Sequence, residues 1–222
     1  MPPKRGRPRK ARRTVGTQTK MRKMRRKTPL ALKPHSFVER SGATDLLTIA
    51  PEATAVGMLK EFSLNEIPQN GNYIELFEEY QINKVVASFR YKSVGQYAYE
   101  TGAALNMNEI NPVLYFKVDH NDENLETLSE LKQSSKCREF QFTNNKPNFD
   151  VVLKPAALVD VNNVHGALGI AHRPKWKMWL PTEEGSVSHF GLKAYCVAAG
   201  SGAHIPGQVE VTYKIYFRCK GS

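Results

Sequence analysis

The sequence predicts an all-β antiparallel domain of about eight strands behind a disordered basic arm, and three observations carry that prediction. Apolar and polar residues alternate with period two through most of the chain beyond residue 34, turn residues separate the runs, and helical spacing never extends past two or three turns. Eight strands is the number a jelly roll uses. A length of 222 residues, 41% of them hydrophobic, suits one β-domain with appendages. No self-similarity at a period of roughly 20 to 50 residues is present, which argues against a propeller or solenoid.

The elements follow in chain order. Ala43 to Ile49 and Met58 to Leu64 are short strands. Asn72, with Glu75 three residues on, has capping-box form and opens a short helix in YIELFEEY. Ile82 to Lys92 is a long strand with Val85, Ala87, Phe89 and Tyr91 on one face, and Pro112 to Val118 reads as a buried one. Asp122 precedes Leu125, Leu128 and Leu131, a spacing that predicts a second short helix. Phe140 and Phe142 mark one strand, and Phe149, Val151 and Leu153 the next, with the turn Asn144 to Asn148 between them. Phe190, Leu192, Ala194 and Cys196 alternate with His189, Lys193 and Tyr195. After a loop carrying Gly200 to Gly202 and Pro206-Gly207, the last strand places Val209, Val211, Tyr213, Ile215, Phe217 and Cys219 on one face.

Charge divides the chain in two. The net charge is +11 with a pI near 9.6. Fourteen of the 32 Lys and Arg lie in residues 1–34, where there is no Asp or Glu, so residues 35–222 hold 18 basic against all 21 acidic residues, a net of −3. The arm, residues 1–34, carries Lys4, Arg5, Arg7, Arg9, Lys10, Arg12, Arg13, Lys20, Arg22, Lys23, Arg25, Arg26, Lys27 and Lys33 among five prolines. It has almost nothing apolar to bury and stays disordered until an anion binds it. Each cation set beside a phosphate releases a condensed counterion, so such an arm grips nucleic acid without reading sequence. Lys4 to Lys10, KRGRPRK, also resembles an AT-hook, whose extended Gly-Arg-Pro core lies in the minor groove of A·T-rich duplex. Basic clusters of this size serve nuclear import as well.

Other motifs carry less. Trp176 and Trp179, interleaved with Lys175 and Lys177, suit the core or a subunit interface, with a base-stacking surface as the alternative. Asp119, Asn121, Glu123 and Glu130 fall at positions 1, 3, 5 and 12 of a calcium-loop pattern, but Asn124 stands where the glycine is required, so they are expected to form a polar strand-to-helix turn and no metal site. The six histidines are scattered, without HExxH, GxSxG, a phosphate loop or a deaminase signature, and Glu78-Glu79 and Glu183-Glu184 read as solvated faces. No enzyme and no cofactor is expected. Cys137, Cys196 and Cys219 share no CxxC spacing and are expected to be reduced thiols. Neither a secretory signal nor an apolar run long enough to span a membrane is present, so a soluble protein made in the cytosol, without membrane insertion, is expected.

Taken together, the features resemble the capsid proteins of circular, Rep-encoding single-stranded DNA viruses, the circoviruses and their relatives. The resemblance lies in the arginine-rich start, in FSLNEIP (Phe62 to Pro68), in LFEEYQINKVVASF (Leu76 to Phe89) leading from helix into strand, and in the terminal VEVTYKIYFRC. It covers nearly the whole chain, with Tyr80, Ile82 and Val85 at the hand-over from helix to strand. It implies a jelly roll of two four-stranded sheets over residues 35–222 and packaging of viral single-stranded DNA by the arm. It further implies identical subunits in a T=1 icosahedral shell, entry to the host nucleus through the import machinery, and an attachment factor on the host cell. Sixty arms would bring about 800 positive charges to the genome. The alternative is an AT-hook regulator whose β-sandwich binds a partner.

Overall fold

The structure is a computed structural model that describes residues 33–49, 55–92, 112–120, 124–143, 145–161, 171–197 and 207–221. In chain order the strands are β1 (His35–Ile49), β2 (Ala55–Phe62), β3 (Glu79–Lys92), β4 (Val113–Lys117), β5 (Arg138–Gln141), β6 (Asn148–Leu153), β7 (Ala156–Val161), β8 (Ala171–Trp176), β9 (Leu180–Pro181), β10 (His189–Val197) and β11 (Gly207–Lys220). Two short helices, α1 (Asn70–Leu76) and α2 (Leu128–Gln133), interrupt them.

The strands form two antiparallel sheets. One has the order β1-β11-β3-β6, with β9 against the start of β3. The other has the order β5-β4-β10-β7-β8, with β2 along the opposite edge of β10. The eight strands read from the sequence are all present, four to a sheet: β1, β11, β3 and β6 face β2, β10, β4 and β5. This is the jelly-roll arrangement.

The alternation of β11 builds the core. Val209, Val211, Tyr213, Ile215, Phe217 and Cys219 are all buried, against Phe62, Leu64, Ile82, Val85 and Phe89 from the neighbouring elements. Burying each such side chain contributes on the order of 2 kcal/mol. Phe140 of β5 stacks on Phe149 of β6 with ring centroids 4.1 Å apart, a contact that joins the two sheets.

Several local expectations are corrected. Eleven strands, rather than eight, occur among the described residues. The hairpin β7-β8 and the short β9 are additions to the frame; Pro155 and Pro174 interrupt the alternation there, and Pro174 is tolerated because β8 is an edge strand. Strand β1 begins at His35, eight residues before the Ala43 expected, and pairs with β11 from His35↔Cys219 to Ile49↔Gly207 around an irregularity between Arg40 and Thr44. Helix α1 starts at Asn70 behind Gln69 (φ 61°), so Asn72 is not its cap, and the chain has left the helix by Phe77. Helix α2 is capped by Thr127 and not led by Asp122, which lies outside the described residues. Its capping box is complete: the Glu130 amide donates to Thr127 Oγ1 at 3.3 Å and the Thr127 amide to Glu130 Oε2 at 2.8 Å. The bond from the Thr127 backbone holds the Glu130 carboxyl below the usual carboxylate range.

Strand β10 departs most from the simple alternation. His189 and Lys193, the polar members of the alternation, are 2% and 0% exposed. His189 sits 6.2 Å from the buried Tyr80 ring, before an irregularity between Phe190 and Leu192, whereas Lys193 is covered by the stretch before α2. Lys193 Nζ meets Glu126 at 3.5 Å and Asp119 at 3.7 Å, while Lys117 pairs with Asp119 at 2.9 Å and with Glu126. Tyr195 donates its hydroxyl to the Glu126 carbonyl at 2.6 Å. Burial alone would pull the Lys117 ammonium down, but its bonds to Glu126 and Asp119 outweigh it and raise the pKa.

Candidate nucleic-acid interface

Because the even-numbered residues of β11 point away from the core, Lys214, Tyr216 and Arg218 stand on the outer face of its sheet, where each is exposed or half-buried. Register brings their neighbours to them. Tyr216 lies opposite Lys84 of β3 on one side and Val38 of β1 on the other, Lys214 lies opposite Arg40, and Arg218 opposite Ser36. The Lys84 ammonium sits 4.1 Å from the centroid of the Tyr216 ring, with that of Lys214 at 5.7 Å. A cation so placed on an aromatic face is held by about 0.5–1 kcal/mol at an exposed site.

Beside this ring is a groove of about 380 Å³ lined by Val38, Lys84, Lys154, Lys177, Tyr216 and Arg218 among others, with no acidic residue in its lining among the described residues. Lys177 holds a left-handed backbone (φ 53°), a conformation a lysine adopts at some cost. The turn is fixed by Gln81 of β3, whose side-chain amide donates to the Lys177 carbonyl. Ser36 and Phe37 also line the groove, so the chain enters the fold at its rim. A cleft of about 820 Å³ between β4, β5 and β6 is larger, but Asp150 lies among its lysines and arginine, and its electrostatics are mixed.

A groove lined by four cations and an aromatic ring, with no counter-charge in its lining among the described residues, can take a polyanion: ammonium and guanidinium groups meet phosphates, and a π-face accepts a base. The groove was not legible in the sequence, since its cations come from residues 84, 154, 177 and 218 and meet only through strand register. The arm cations assigned from sequence, Lys4 to Lys27, lie outside the described residues.

The circovirus capsid protein family matches the chain over residues 2–222. The chain belongs to that family. It is therefore a structural capsid protein, and the fold agrees with solved structures. The 60-mer form of the BFDV capsid protein superposes with a TM-score of 0.63 at 13% identity, covering 86% of this chain and 95% of that one. The decameric form of the BFDV capsid protein gives 0.54 at 14% identity, covering 85% and 99%. No curated protein matches the sequence.

Within this capsid protein the two tryptophans have separate surroundings. Trp176, at the end of β8, is 51% exposed and meets His120 edge-on at 5.6 Å. Trp179 is half-buried beneath Lys220, whose ammonium lies 4.8 Å from the ring centroid and pairs with Glu79 at 2.6 Å. Neither joins the hydrophobic core. Of the calcium-loop residues, Asp119 serves Lys117 and Lys193, Glu130 closes its capping box, and Asn121 and Glu123 lie outside the described residues. No group of His, Cys, Asp or Glu suited to a metal occurs among the described residues. All three cysteines are free thiols, and burial pushes Cys196 and Cys219 up to about 12, so neither ionises near neutral pH.

Proposed function

We propose that this capsid protein assembles into a closed icosahedral shell of about sixty copies and packages circular single-stranded DNA with its basic arm. The observation that carries the reading is the polarity of charge. Fourteen cations in residues 1–34 join a body of net charge −3 at the rim of a groove whose charged lining, among the described residues, is cationic. The arm neutralises phosphates, and the groove extends that contact onto the folded domain. The same basic clusters address the protein to the host nucleus, and the assembled virion is its final location; the attachment factor on the host cell is a separate partner that the groove and arm do not specify. The 60-mer of the similar BFDV protein supports the shell reading.

Electron microscopy of the purified full-length protein tests this, with closed particles of uniform size as the expected result. A stable monomer under all conditions of salt and pH would overturn it. The regulator reading makes the opposite binding forecast: a preference for A·T-rich duplex over single strands, lost on Arg7→Ala. The capsid reading expects single strands of any sequence to bind alike.

A further inference from the structure

Among the described residues, two exposed patches that neither the core nor the groove uses are opposite in charge. The first surrounds α1 and the turn at Thr182–Glu184. There Leu76 is 72% exposed and Ile74 36%, while Glu75, Glu78, Glu183 and Glu184 are all exposed. The two elements are tied together, since Thr182 Oγ1 donates to the Phe77 carbonyl at 2.6 Å and the Thr182 amide to the Glu78 carbonyl at 2.9 Å. The cation near this patch, Lys220, is already held by Glu79 and Trp179. Ile74 and Leu76 are two apart on the helix and project to different sides, so the apolar point of the patch is Leu76, with acidic residues around it.

The second patch is the end of β8. Arg173, Lys175 and Trp176 are exposed there, and the indole is braced edge-on by His120. Strand β8 ends its sheet, pairing only with β7 among the described residues. Pro174 at its middle lacks an amide donor, which opposes addition of another strand along that edge. What the edge offers a partner is therefore its side chains: Arg173 and Lys175 on one face of the strand and the Trp176 indole at its end on the other.

In a single copy the patches do not cover one another, because both are exposed. Their complementarity is available only between molecules. We propose that the edge formed by Arg173, Lys175 and Trp176 of one copy docks on Leu76 and its acidic rim on the next. The inference rests on the shell reading, since a contact between two different patches is heterologous and closes a ring around a symmetry axis. An exposed indole meeting an exposed leucine, with opposite charges beside them, has the make-up of an interface hot spot.

Full-length protein carrying K175E with R173E, protein carrying E183K with E184K, and the chain combining all four changes are compared with the parent by sedimentation and electron microscopy. Each two-residue reversal raises the concentration needed for assembly by about tenfold or more, because it sets like charges face to face. The four-fold variant recovers assembly and does not mix into parental particles. W176A weakens assembly and leaves single-strand DNA affinity unchanged.

Reversals that assemble like the parent overturn the proposal, as does a folded four-fold variant, verified by its circular dichroism melt, that fails to recover. A W176A protein with normal assembly but weaker DNA binding would give the patch to nucleic acid instead, and also overturns it. A parent that never forms particles removes the shell reading itself, which separates the two failures.

Discussion

Lys193 is fully enclosed, and the charge it brings inside is met by Glu126 at 3.5 Å and Asp119 at 3.7 Å, which also hold Lys117. Removing one partner of such a group costs more than the pair contributes, because a charge is left in a poorly hydrated place. Glu126→Ala is therefore expected to destabilise the domain by about 3 kcal/mol, read as a lower midpoint in urea. An unchanged midpoint would show that the cluster is solvated. The contribution of the raised Lys117 ammonium is present below its ordinary pKa of about 10.5 and is lost only as pH climbs through the folded value. Histidines act at the other end of the scale. Burial lowers both His189 and His120. The unfolded chain then binds more protons than the fold below about pH 6.5, so stability falls as pH drops from there toward the folded values. Urea midpoints measured across that window should fall for the parent and fall less for His189→Gln; equal slopes would contradict the assignment.

At the scale of the element, the stretch before α2 is held onto the outer face of β10 by contacts that leave no room at Gly57. A Cβ there would lie 2.5 Å from the Tyr195 ring and 2.8 Å from Leu125. Gly57→Ala is expected to displace this stretch, with faster amide exchange across α2 than in the parent; unchanged exchange would mean that the ring yields freely. Thr127→Ala should cost about 1 kcal/mol by removing the cap. These contacts also explain what the sequence concealed. The frame strands were legible where they alternate cleanly between core and surface, as β11 does from Val209 to Cys219. The first half of β1 was not, because it inverts the code: Val38 is 44% exposed, while Glu39 is half-buried and accepts a 3.1 Å hydrogen bond from the Tyr73 hydroxyl. Lys193 was misread for a similar reason, since its acidic partners lie 67 or more residues earlier in sequence and a lone lysine in a strand reads as surface.

Across the whole molecule, charge is sorted by place rather than by amount. The arm holds the cations, the body is mildly acidic, and among the body's own cations four gather at the groove beside the point where the arm joins. The charge excess of residues 1–34 is a matter of composition alone, fourteen cations without an acid. The groove needed three dimensions. The central claim is that arm and groove form one phosphate-binding surface, and the dependence of single-strand DNA affinity on salt tests it most directly. Each phosphate contact adds about −0.7 to the slope of log K against log salt. The full-length protein should show a steep slope. Joint replacement of Lys84 and Arg218 by alanine should lessen it by roughly 1.4, and removal of residues 1–34 should abolish most binding at physiological salt. Binding that survives loss of the arm at that salt, or a slope indifferent to Lys84 and Arg218, would contradict the account.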